Sequence, residues 1–231
     1  MQRRSTTRDR VPGGAETRPL FLLALACALI PSGTVALAWW LSVRAGHIPD
    51  CIPHLEGCTS ISRAARHGTG NVVFKVAMVP CAFLQGWLWT LAGQWLRARH
   101  SAPGAGASLA ALGLVAGIAL ALYATYLGTD GAIYQWLRRF GIVFYFGSTY
   151  LAMIVFTQRL GELRLERPVA RLMLALCAAL LALGLASVAA RGLAADPELK
   201  DRIEDMLEWH MATLLVAWML TLAFLWRRTG R

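Results

Sequence analysis

The sequence predicts an all-α integral membrane protein, a six-helix transmembrane bundle. Three observations predict it: six long apolar runs, connections between them that are mostly short, and a positive charge excess confined to alternate connections. The runs cover approximately residues 20–43, 72–96, 107–127, 140–158, 169–190 and 206–226. Each is close to the roughly 20 residues that a helix needs to cross a ~30 Å hydrocarbon core. Of the 231 residues almost all fall in this membrane domain, spanning 19–228, which leaves no room for a separate soluble enzyme.

The first run follows a basic stretch, residues 1–18, whose Gly, Pro, Thr and Arg content predicts a mobile cytoplasmic tail. Ala36-Leu37-Ala38 imitates a signal-peptide cleavage site, but the apolar run continues through Trp39, Trp40, Leu41 and Val43, so a retained helix is expected rather than a cleaved leader. Pro31 in this run and Pro80 in the second each remove an i to i−4 hydrogen bond and are expected to kink their helices. The third run carries Gly113 and Gly117 in a GxxxG pattern, and the fifth a stripe of Ala178, Ala182 and Ala186. Small residues let helix backbones approach inside a bilayer, so these mark packing seams within the bundle, or alternatively a homodimer face or a contact with another membrane protein. Trp39, Trp40 and Trp209 fall at one membrane interface and Trp95 and Trp226 at the other, where an amphipathic ring is favoured. The last run opens with Asp196-Pro197-Glu198, an N-cap followed by proline at the first helical position, so its helix is expected to start in water.

The connections set the orientation. Fourteen cations and only four carboxylates flank the termini and the second and fourth connections. The other side holds nine cations and nine carboxylates, so the whole net charge of +10 sits on one face. Lys and Arg are retained in the cytoplasm, which predicts both termini there, and the Ala, Leu and Arg bias suggests a bacterial inner membrane. The basic residues sit beside membrane exits, where anionic headgroups meet them, so a nucleic-acid partner is not expected. Membrane lipids are.

The opposite, outer side carries more connecting chain and most of the candidate chemistry. Cys51 and Cys58 share the first outer connection, flanked by Pro49, Pro53 and Gly57, and form a disulfide candidate; free thiols or a metal pair with His47 or His54 are the competing readings. No CxxC is present, and neither a metal nor a cofactor is expected. Asp201, Glu204, Asp205 and Glu208 recur at i, i+3, i+4 and i+7 and share one helix face. That face is a solvated acidic stripe, an ordered cluster with Arg63, Arg66, Lys75, Arg138 or Arg139, or a divalent-ion site. Glu208 and Lys75 lie where charge gives way to apolar sequence, a depth at which an ionisable group is costly and tends to be paired or functional. No GxSxG, HExxH, P-loop or GxGxxG is present.

Thr59-Ser60-Ile61-Ser62, the run Gly68-Thr69-Gly70-Asn71-Val72-Val73-Phe74-Lys75, the segment Trp136-Leu137-Arg138-Arg139-Phe140-Gly141 and the pair Glu208-Trp209 together resemble the FRAG/DRAM/SFK family of six-span proteins. The resemblance runs from about Leu20 to Trp226. That family includes factors that remodel GPI-anchor lipids and the N-terminal region of a ceramide-remodelling protein, so the resemblance implies a lipid-related role without a defined catalytic set. On this reading Asn71, Lys75, Arg138 and Arg139 would meet a lipid headgroup and Glu208 would hold one of those cations. The rival is a membrane-embedded lipid hydrolase or acyl-transfer enzyme, with His67 or His210 as base and Glu208 or Asp130 as orienter. A transporter is disfavoured for want of repeated broken helices.

Overall fold

The computed structural model describes residues 17–99, 104–163, 166–193 and 196–230. Nearly all of the expected tail, residues 1–16, lies outside them. The described residues form eight helices and no strand: α1 Thr17–Arg44, α2 Pro53–Glu56, α3 Ile61–Ala64, α4 Gly68–Arg97, α5 Gly104–Tyr126, α6 Ala132–Glu162, α7 Arg167–Leu193 and α8 Pro197–Thr229. Six of them are long and apolar enough to cross a membrane, and the chain is an integral membrane protein built as a six-helix bundle.

Each long helix starts before its apolar run, α6 by eight residues and α8 by nine. Hydropathy marks where lipid begins, whereas a helix continues into water until a cap or a proline ends it. Asp196 caps α8 as expected, its Oδ1 accepting from the Glu198 amide at 3.0 Å with Pro197 at the first position. α1 and α4 remain helical through Pro31 and Pro80.

The bundle is sewn together by α4. It packs on α5 along a seam of small residues, where a Cβ on Gly113 would stand 3.1 Å from the Gly86 carbonyl and one on Gly117 2.9 Å from that of Ala82. The GxxxG face is therefore occupied within the chain, and this close approach replaces the hydrophobic drive that a bilayer does not supply. α1 lies against α4 and α8, and α7 against α8, while α6 packs far more closely on α5 than on α7. Ala178, Ala182 and Ala186 point out of the bundle.

The half of the bundle nearest the termini is filled by rings. Trp89, Trp218, Trp226 and Phe156 are fully buried, with Trp89 and Trp218 centroids 5.5 Å apart and Trp95 and Trp226 6.4 Å apart. Trp95 and Trp226 thus belong to the interior rather than to a headgroup-facing belt. At the other end, which carries α2 and α3, the long helices separate and the spaces between them are partly open.

Candidate functional site

Two single-turn helices, α2 and α3, cover that open end. Neither is long enough to be stable alone, because one turn leaves nearly all its backbone groups without an intrahelical partner. Distant side chains supply the partners instead. Ser60 caps the start of α3, its Oγ accepting from the Arg63 amide at 3.1 Å. At the other end the Ser42 hydroxyl donates to the Ala64 carbonyl at 2.6 Å, and Asn71 Nδ2 donates to the carbonyls of Ala65 and Leu127, both at 2.9 Å. α8 supplies the rest. The Trp209 indole donates to the Thr59 carbonyl at 2.8 Å, Asp205 pairs with Arg63 at 2.6 Å, and the amides of Ser62 and Ile61 reach the Glu208 carboxyl group.

The acidic face of α8 is therefore an ordered cluster with the first connection. Asp205 is buried and Glu208 partly so, while Asp201 stays exposed. No group of three metal-ligating side chains occurs among the described residues.

α2 is fixed differently. Cys51 and Cys58 are joined as a disulfide across it, with Cα atoms 6.6 Å apart. Gly57, at φ 61°, follows it, and a Cβ there would collide with the Arg202 backbone, so only glycine permits both the left-handed turn and this approach to α8. Arg202 Nε donates to the Glu56 carbonyl at 3.0 Å. His54 lies between the Trp209 and His210 rings, each 5.3 Å away by centroid, and its Nε2 is 3.0 Å from the Thr213 hydroxyl. That hydroxyl donates to the Trp209 carbonyl, so His54 is the donor in the contact. Burial, and then the neighbouring His210, push the His54 pKa below the ordinary 6.5.

Beneath this cover lie two cavities. The larger, about 720 Å³, is an open cleft between α6 on one side and α7 and α8 on the other. Its deep wall is apolar, with Phe146, Met153, Leu180, Leu181, Met211 and Leu215. Its upper end is charged, with Arg66, Arg138, Arg139 and Glu208. The smaller, about 350 Å³, lies among α1, α4, α5, α6 and α8. Tyr123, Ile142, Phe146, Glu208 and Leu215 line both and form the partition between them. The Tyr123 phenol is within electrostatic reach of Glu208, Arg66 and Arg138 together.

The residues singled out from sequence thus divide. Arg138, Arg139 and Glu208 share the cleft. Arg138 is also tied to the chain, donating to the carbonyls of Tyr126, at 3.0 Å, and of Thr129. Asn71 is a clamp on the first connection, and Asn71 and Lys75 line neither cavity. The cleft is consequently walled by the third to sixth spans, with Ser62 and Arg66 of the first connection at its charged end. His67, Asp130 and His210 line neither cavity, and none of them hydrogen-bonds to another or to Glu208. The His67 ring is tilted against that of His47, 5.7 Å away by centroid, Asp130 is exposed in the α5–α6 turn, and His210 Nδ1 engages the Met206 carbonyl of its own helix at 2.8 Å. The cleft also brings in Arg66, expected only as a possible partner for the acidic face, together with Ser62 and Tyr123. Nothing in their local spacing signals a shared cavity.

The chain matches no protein-family model, no curated protein and no solved structure at a significant level.

Proposed function

We propose that this protein has a lipid-related role, binding or organising a membrane lipid, or assisting its remodelling, in the cleft between α6, α7 and α8. The observation that carries the reading is the polarity gradient of that cleft: an apolar wall at membrane depth ends in three arginines and a glutamate. An amphiphile has that same gradient. Its tail gains dispersion contacts along Phe146, Met153 and Leu181, and its phosphate accepts charge-assisted hydrogen bonds from Arg66 and Arg139.

Further support comes from the segments that resemble the FRAG/DRAM/SFK family. Thr59–Ser62 and Glu208-Trp209 are about 150 residues apart in sequence yet meet directly, through the Trp209 bond to Thr59 and the amides that reach Glu208. The charge asymmetry supports an orientation in which both termini are cytoplasmic and α2 and α3 face outward, in a bacterial inner membrane. A disulfide between Cys51 and Cys58 fits such a compartment.

The test is lipid retention by the full chain purified in detergent. The wild-type protein is expected to carry phosphate-bearing lipid through purification. The double variant Arg66→Gln/Arg139→Gln loses about tenfold of it, a size that follows from removing charge-assisted hydrogen bonds. Lys75→Gln, outside the cleft, retains it. Equal retention by the double variant and the wild type removes the cleft from the account.

A further inference from the structure

Glu208 is out of place in a site for a purely anionic headgroup. A carboxylate beside a phosphate repels it, and more strongly at this partly buried depth than in water. Its obvious cations are otherwise engaged: Arg63 is held by Asp205, and Arg138 by the Tyr126 and Thr129 carbonyls. No ion pair within 4.0 Å joins Glu208 to a cation among the described residues. The Ser62 and Ile61 amides lie near it, and a carboxylate has roughly four acceptor positions. Glu208 itself lines both cavities.

Arg66 presents the complementary deficit. Its Nε is buried without a hydrogen-bond partner, although the side chain lines the same cleft. A buried guanidinium nitrogen with no acceptor calls for one, and a phosphate oxygen is a strong acceptor for it. Arg66 and Glu208 both border Ser62, whose hydroxyl lies 3.5 Å from Arg66 Nη2 and whose amide faces the carboxylate. A spare donor and a spare acceptor thus flank one residue, without pairing to each other.

We propose that the cleft selects a phospholipid whose phosphate carries a primary ammonium group, of the ethanolamine type, with Arg66 and Arg139 on the phosphate and Glu208 on the ammonium. This rests on the lipid-binding reading above and sharpens it to a headgroup class. A primary ammonium brings three N–H donors to a carboxylate. A choline headgroup has none and is better recognised by aromatic faces. A glycerol headgroup supplies no positive charge at all.

The experiment is native mass spectrometry of the full chain in detergent, titrated with phospholipids of identical acyl chains bearing ethanolamine, its mono- and dimethylated forms, choline or glycerol. The wild-type protein is expected to retain the ethanolamine lipid about tenfold over choline and glycerol, as for one charge-assisted contact. Retention should fall stepwise as each methyl group removes an N–H. Glu208→Gln brings ethanolamine and glycerol lipids to parity while keeping glycerol-lipid retention, whereas Arg139→Gln weakens all of them alike. The methylation series needs no variant, so it decides the matter even where Glu208→Gln folds poorly. Retention that ignores the headgroup overturns the selectivity and leaves lipid binding standing, while failure of every phospholipid to bind overturns both.

Discussion

The two halves of this bundle solve opposite problems. Towards the termini, Trp89, Trp95, Trp218, Trp226, Phe156 and Met153 fill the space between helices. Towards α2 and α3, the buried clusters are smaller and built around Ala38, Phe74, Tyr123 and Trp209, and two cavities open beside them. In a bilayer apolar burial between helices gains little over lipid, so a bundle holds together through close packing. Concentrating that packing in one half lets the other be held apart by specific bonds. Those bonds are individually modest, but they place Glu208 and three arginines around a space that packing would have filled.

Substitutions in each half can break or sharpen this contrast. The largest expected effect is in the filled half: Trp218→Ala removes a ring packed between Trp89 and Phe156 and should cost about 3–5 kcal/mol. Phe146→Ala, whose ring lines both cavities and is 38% exposed, should cost less than about 1 kcal/mol. Thermal unfolding in detergent measures both, and similar losses would erase the distinction between the halves. Next in size is Cys51→Ser with Cys58→Ser. Closing so short a loop contributes about 2–3 kcal/mol to ordering it. The loss should be read locally, as faster amide exchange in α2 and its flanks with little change in the filled half, and a bundle-wide change would show that the cover is integral to the core.

The smallest effect is the pH response of the α2 contact. The His54 pKa lies below 6.5 in the folded protein, so the unfolded or undocked state takes up a proton first as pH falls. Docking of α2 is therefore fully supported above about pH 6.5 and weakens as pH drops below it. Amide exchange of α2 at pH 7.5 and 5.5 measures this, and His54→Gln should flatten the dependence; an unchanged dependence would assign it to another group.

How much of this was legible in advance follows from what each feature depends on. The long helices were, because an apolar run of membrane length has few alternatives. The start of α8 was too, since Asp196 and Pro197 act on their own neighbours. The single-turn α2 and α3 were not, because Ser42, Asn71, Asp205, Glu208 and Trp209 reach them from other helices. Lys75 and Glu208 lie at similar depth in sequence, yet only Glu208 lines a cavity. Rotation about a helix axis decides that, and hydropathy does not record it.

The sequence by itself determined the class of protein and the number of spans, since the cost of burying charge or unpaired backbone in lipid acts residue by residue along the chain. Only the tertiary structure decided that the acidic face of α8 would clasp the first connection and that Arg66, Arg138, Arg139 and Glu208 would share one cleft. Those outcomes depend on helix rotation and on bonds between residues far apart in the chain, which are settled when six helices pack against one another.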